Sequence, residues 1–334
     1  MRKYILFFII MLTGSVLIFG CTTTSVAPTT TTTPGSTTTT TAGGSGPTAK
    51  PDSTVRLCFI HHSSGGNWLV NSSDDPTVGG DLGLNLNANN YYATETDYDW
   101  EAQPGDALGY NTDLGFWTAW FNTAKMPYVY ANNSHYYYTN TISDPGGENQ
   151  IVIFKSCFPN SNLYGNPTDA AATGATNPIE GQNAGIGAGQ SADYTVANAK
   201  WVYNTLLAYF ATKTNKLFVV VTAPPLTSGN YAGSNAANAR AFNNWLVSDW
   251  LSGYSHNNVV VFDFFNVLTG ADNHHRWSVS AVQHYTAPGS SNAAYYPTAS
   301  DGSDDHPNSS GNQKATAEFV PLLNYYYNRW QGLI

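Results

Sequence analysis

The chain has 334 residues and a formal net charge of −9, and only 10% of its residues are Asp, Glu, Lys or Arg. So few basic residues on an acidic chain exclude a nucleic-acid-binding surface. Aromatic residues reach 14%, with 22 Tyr and 9 Trp, a composition that suits faces stacking on sugar rings and equally suits a polar, uncharged surface.

The first 54 residues stand apart from the rest. Arg2 and Lys3 lead an apolar run from Tyr4 to Phe19 that closes on Gly20-Cys21, the pattern of a secretory signal over residues 1–21. The run is short for a membrane span, which takes roughly 20 residues. Its ending, Leu17-Ile18-Phe19-Gly20-Cys21, resembles a lipobox, and that resemblance implies cleavage before Cys21 and a lipid on its thiol. An uncleaved membrane anchor is the other reading. Both place the remainder outside the cytoplasm, and the lipobox attaches it to the cell membrane. Residues 22–54 are rich in Thr, with Pro, Gly and Ser. They hold too few large apolar side chains to bury a core and read as a flexible linker. The expected domain is 55–334.

Val55–Ile60, VRLCFI, reads as a strand buried on both faces. It runs into His61-His62-Ser63-Ser64-Gly65-Gly66, where the glycines are expected to turn the backbone and bring it close to a ligand. Residues 67–150 are irregular, with a short helix at Leu82–Leu86, a strand near Tyr91-Tyr92 and one-sided aromatics in Gly115–Phe121. The stretch exceeds an ordinary strand–helix connection and is expected to hold loops over the site. Gln150–Ser156 is a second buried strand, and Phe158–Asn162 turns after it. A Gly- and Ala-rich loop, Asn166–Gln190, follows. Helices are expected at Tyr194–Lys213 and Asn235–Leu251, and strands at Leu217–Thr222 and Asn258–Asp263. A polar loop, Gly270–Ser303, leads to Asp304-Asp305-His306-Pro307 and a last helix from about Ser309 to Trp330. Apolar strands alternating with amphipathic helices predict an α/β fold, three-layered around a central parallel sheet. Right-handed crossovers then put every strand's carboxyl end, and so Ser63 and Asn160, on one edge.

A serine at that edge needs a base, and the base needs an orienting acceptor. His306 can be the base and Asp304 or Asp305 the acceptor. Asp304 is favoured, because side chains two apart in an extended segment share a face. Asn160 can donate its side-chain N–H to an oxyanion, or cap a turn. These pieces, FIHHSSGG, VIFKSCFPNSN, NARAFNNWL and DDHPNSSGNQKA, together resemble the SGNH, or GDSL-like, hydrolase superfamily, over about Val55 to Ile334. The resemblance implies a flavodoxin-like fold, Ser63 as nucleophile in preference to Ser64, and a catalytic set of Ser63, His306, Asp304 and Asn160. It also implies a glycine that helps hold the oxyanion, with Gly105 and Gly109 as candidates and plain loop glycines as the other reading. Two blocks depart from the family pattern. His62-Ser63 replaces Gly-Asp-Ser, and Ser303 stands where an Asp is expected three residues before His306.

No cofactor is expected. His61 and His62 are adjacent and point to opposite faces, which makes them poor co-ligands for a metal. His274, His275 and His284 are expected to line a surface. Cys58 and Cys157 are expected as buried thiols, not a disulfide. The function implied is an extracytoplasmic serine esterase acting on O-acyl, above all acetyl, esters of carbohydrate, with acylated polysaccharide as substrate partner and the membrane reached through Cys21. The alternative is a catalytically inactive glycan-binding or cell-surface interaction protein on the same fold.

Overall fold

The structure, a computed structural model, describes residues 46–334. The signal, the lipobox-like ending at Cys21 and the Thr-rich stretch through residue 45 lie outside the described residues. Five parallel strands form the sheet, β1 (Val55–Ile60), β2 (Tyr91–Thr96), β3 (Ile151–Lys155), β4 (Leu217–Val221) and β5 (Val259–Phe262), in the order β2-β1-β3-β4-β5. This is one of the two common doubly wound orders, in which ligands bind beyond the carboxyl ends of the strands where the order reverses. Here the reversal lies between β1 and β3. Every residue of β1, β3, β4 and β5 is buried, which is why these strands read as unbroken apolar runs.

Alternation along the strands divides the core in two. Leu57, Phe59, Ile151, Ile153, Val219 and Phe262 face α1 (Ser63–Leu69), α2 (Leu82–Ala88) and the long last helix. Cys58, Ile60, Val152, Phe154 and Val220 face the opposite layer. That layer holds α3 (Trp117–Trp120), α4 (Met126–Tyr130), α5 (Val196–Ala211) and α6 (Asn235–Ser248). A short α7 (Phe264–Val267) follows β5, and α8 (Ser309–Trp330) ends the chain. The molecule is thus α/β, with helices on both faces of a parallel sheet.

Besides the short helices α1, α4 and α7, which were not expected, three features differ from the sequence expectations. β2 is a full sheet strand pairing with β1, although only Tyr91-Tyr92 read as one. The polar stretch after α7 contains an antiparallel hairpin, β6 (His274–Ser278) and β7 (Ala281–Tyr285). The domain also starts before residue 55, because Asn328 of α8 donates to the carbonyls of Pro47 and Ala49, and Asn324 to that of Thr48. Among the described residues, no helix is long and apolar enough to cross a membrane.

Two helices matter most for the site. α1 begins at Ser63 and α8 begins three residues after His306. Trp68 of α1 is fully buried, stacks on Phe264 at 4.6 Å and donates its indole N–H to Thr316 Oγ1 of α8 at 2.8 Å. Burying a ring of this size contributes about 3–5 kcal/mol against truncation to Ala, so the two helices that carry the site are locked together. Asn308 caps α8, its side chain accepting from the Gly311 amide at 3.0 Å.

Candidate active site

The first strand ends at Ile60, and an extended residue, His62, turns the chain into α1. Gly65 and Gly66 sit inside that helix, not in an open turn. A Cβ on Gly65 would stand 2.4 Å from His61 Cβ, and one on Gly66 would meet the Tyr137 ring at 2.5 Å. They are therefore required by packing beneath the helix, which corrects the expectation that they approach a ligand.

Ser63 opens α1 and is half-buried. His306 Nε2 lies 2.9 Å from Ser63 Oγ, and His306 Nδ1 lies 2.6 Å from Asp304 Oδ1. Asp304 Oδ1 also accepts from the His306 amide at 3.0 Å, closing a tight turn that fixes the ring. This geometry suits the tautomer in which Nδ1–H donates to the carboxylate and Nε2 faces the serine hydroxyl as an acceptor. Partial burial alone would raise the Asp304 carboxyl, but the His306 amide, ring and charge outweigh it and hold the group below the usual carboxylate range. Phe158 meets the His306 ring edge-on at 4.9 Å.

Asp305 points the other way. Its carboxylate accepts from the Thr227 amide at 2.7 Å, from Thr227 Oγ1 at 2.8 Å and from Asn230 at 2.7 Å. It moors the His306 segment to the loop after β4 and does not touch the imidazole.

The expected oxyanion donors are engaged elsewhere. Asn160 Nδ2 has two hydrogens, and they go to Asp113 Oδ1 at 2.5 Å and to the Cys157 carbonyl at 3.2 Å, while its Oδ1 accepts from the Leu114 amide. Burial raises the Asp113 carboxyl, against the bonds from Asn160 and the Ala184 amide. Asn160 thus ties the long 97–149 region to β3 and offers no free N–H. The Gly105 amide donates to Glu101 on an exposed turn, and the Gly109 amide donates to the Trp100 carbonyl. Gly109 instead contributes its carbonyl, 2.5 Å from His62 Nε2. His62 stacks on Tyr98 at 4.3 Å, and burial pulls it down to about 4, so it is a neutral donor at physiological pH.

Ser64 is fully buried. Its Oγ receives a hydrogen bond from Lys155 Nζ at 2.5 Å and lies 3.2 Å from Cys157 Sγ, which is itself 3.6 Å from Ser63 Oγ. The two adjacent serines therefore meet two different nitrogen groups. Sequence reasoning passed over Lys155, although it shares the α1-facing side of β3 with Ile151 and Ile153, an unusual position for an ammonium. Cys58 and Cys157 are free and buried, as expected, and burial pushes Cys58 up to about 12.

Of the other histidines, His61 and His275 are buried, while His274 and His284 reach the surface. His61 Nε2 pairs with Glu95 at 2.9 Å, and Glu95 accepts three further bonds from the Tyr136, Tyr137 and Tyr138 amides. His284 Nε2 lies 2.5 Å from Asp263, and His274 Nδ1 lies 2.8 Å from Glu318. His275 is buried, its Nδ1 accepting from the Asp263 amide, so the expectation of a surface lining fails for it. Among the described residues, no group of three or more His, Cys, Asp or Glu is placed to hold a metal.

Compared with known proteins, the chain matches no family model, no curated protein and no solved structure.

Proposed function

We propose that the protein is a serine hydrolase of the flavodoxin-like SGNH type, acting on ester bonds. The observation that carries this reading is the Asp304–His306–Ser63 relay, with separations of 2.6 and 2.9 Å and the correct ring nitrogen toward each partner. In this reading Ser63 Oγ attacks the ester carbonyl while its proton passes to His306 Nε2. The tetrahedral oxyanion collapses, the C–O bond to the alcohol breaks, and Nε2–H protonates the leaving alcohol. Water, deprotonated by the same nitrogen, then releases the acid and frees Ser63. The amides of Ser63 and Ser64 head α1 without intrahelical acceptors and receive the oxyanion. The aromatic, weakly charged composition favours O-acetylated carbohydrate as substrate. The decisive experiment treats the protein with a fluorophosphonate and locates the adduct by peptide mass, alongside turnover of an aryl acetate. Labelling on Ser63 and turnover that vanish in Ser63→Ala support the reading, whereas neither labelling nor turnover in the wild type overturns it.

A second reading, a catalytically silent glycan-binding or cell-surface protein, is favoured by one observation. Asn160, Gly105 and Gly109 hold no free oxyanion donor. Retention on an acetylated glycan without turnover distinguishes it.

We also propose an extracytoplasmic location with a lipid anchor on Cys21, on the strength of the lipobox-like ending. Cys21→Ala is expected to release the protein from membranes or to trap an unprocessed precursor, and unchanged attachment and processing sink the anchor.

A further inference from the structure

Lys155 is the last residue of β3 and is wholly buried, on the sheet face that α1 and α8 cover. Its Nζ donates to Ser64 Oγ at 2.5 Å and to the Ser156 carbonyl at 3.2 Å. Among the described residues no carboxylate forms an ion pair with it. Buried charges are ordinarily paired, because removing one from water without compensation is unfavourable. Burial pulls this lysine down to about 8.

Its position answers a gap in the site. The side chain of Asn160 and the amides of Gly105 and Gly109 are engaged, which leaves the amides at the head of α1, the helix whose Ser64 accepts from Lys155. The Cys157 thiol joins the two serines, 3.2 Å from Ser64 Oγ and 3.6 Å from Ser63 Oγ. We propose that Lys155 is a positioning residue for the Ser63 reaction: bonded to Ser64, its ammonium fixes the first turn of α1 and holds a positive potential beneath the amides that receive the oxyanion. The inference rests on the esterase reading. Because Ser64 is fully buried and Ser63 alone meets His306, Ser64 is a strut between Lys155 and the helix, not a second nucleophile.

The test compares wild type, Lys155→Met and Ser64→Ala with an aryl acetate and a fluorophosphonate. Lys155→Met keeps the length and apolar stem and removes the buried charge together with its hydrogen bonds to Ser64 and Ser156; with the desolvation cost of the charge gone, the fold is expected to keep its melting temperature within a few degrees. Its kcat is expected to fall by about 10- to 100-fold with KM within about two-fold, and its labelling rate to fall in parallel. Ser64→Ala, which keeps the charge and removes the strut, is expected to lose about 3- to 10-fold in kcat. A folded Lys155→Met with wild-type kcat overturns the inference while leaving the esterase reading intact. Should that variant not fold, Ser64→Ala decides: a kcat equal to wild type overturns the inference, and the expected loss at unchanged KM upholds it. A wild type that neither turns over nor labels overturns both.

Discussion

Two histidine–aspartate pairs stand near the carboxyl ends of the strands, and they differ in nearly everything except their chemistry. His306 gives Nδ1 to Asp304 at 2.6 Å and keeps Nε2 for Ser63. His284 gives Nε2 to Asp263 at 2.5 Å, and among the described residues no hydroxyl meets its other nitrogen. The Asp304 side chain is 40% exposed, whereas that of Asp263 is fully buried. Asp263 further accepts from the backbone and side chain of Asn266, capping α7. An acid beside a histidine is therefore not a site in itself. The role depends on which ring nitrogen takes the carboxylate, on what meets the other, and on how much of the fold the carboxylate also holds.

The comparison breaks most sharply by removing each histidine. His306→Gln and Ser63→Ala are expected to lower kcat about 10⁴-fold or more, with little change in melting temperature. His284→Gln is expected to leave kcat within about two-fold and to lower the melting temperature. Ester turnover and thermal unfolding of the three variants check this, and a catalytic loss in His284→Gln would erase the distinction.

The two neighbouring aspartates sharpen it. Asp304→Asn is expected to lower kcat roughly 10²- to 10⁴-fold, because the amide no longer holds the Nδ1–H tautomer. Asp305→Asn keeps the triad but gives up acceptors for Thr227 and Asn230. It is expected to cost about 1–3 kcal/mol of stability with kcat changed only a few-fold. Kinetics and chemical denaturation of both variants decide it, and a larger kcat loss for Asp305→Asn would show that the wrong carboxylate has been assigned.

These contrasts also show what the sequence carried. β1, β3, β4 and β5 were legible because both faces are buried and the runs are apolar. β2 was half-visible because Thr94, Glu95 and Thr96 are buried polar residues; Thr94 donates to the Leu57 carbonyl and Glu95 meets His61 and the Tyr136–Tyr138 amides, partners that no local pattern announces. The β6–β7 hairpin hid for the same reason, since its Arg, Gln and three His give no apolar alternation. The Ser63–His306–Asp304 arrangement was legible from position: a serine after a first strand, and an acid two residues before a histidine at a helix entrance. The engagement of Asn160 and Gly109 was not, because Asp113 and Trp100 reach them from the irregular 97–149 region, whose path has no periodicity to read. Lys155 could have been found, as it continues the Ile151–Ile153 alternation into the core.

Asn160 offers a smaller, two-sided test. A free oxyanion donor, once removed, lowers kcat about 10²- to 10³-fold. Since both Asn160 hydrogens are engaged, Asn160→Ala is expected to lower kcat less than about 10-fold. It should instead cost about 1–3 kcal/mol, by leaving the buried Asp113 carboxyl short of a donor. A kcat loss of the larger size, at unchanged stability, would mean that Asn160 leaves Asp113 and turns to the substrate during the reaction.

The smallest expected effect lies in the pH dependence of the Asp263–His284 pair. Burial on its own would raise Asp263 and lower His284, but their mutual bond and charge, with the Asn266 donors on Asp263, reverse both directions. Asp263 is held low, so its contribution is present above the unfolded value of about 3.9 and is lost as pH falls through the folded value. His284 is held high, so its contribution is complete below the unfolded value of about 6.5 and is lost as pH rises through the folded value. The pair therefore stabilises most between about pH 4 and 6.5, with an amplitude on the order of 1 kcal/mol. The gap in melting temperature between wild type and His284→Gln should be widest in that window and should narrow toward pH 8 and above. The ratio of their kcat values should stay flat across the same range, because the pair makes no contact with Ser63 or His306. A gap that widens above pH 7 would mean that His284 is neutral in the fold and bonds Asp263 only as an uncharged donor.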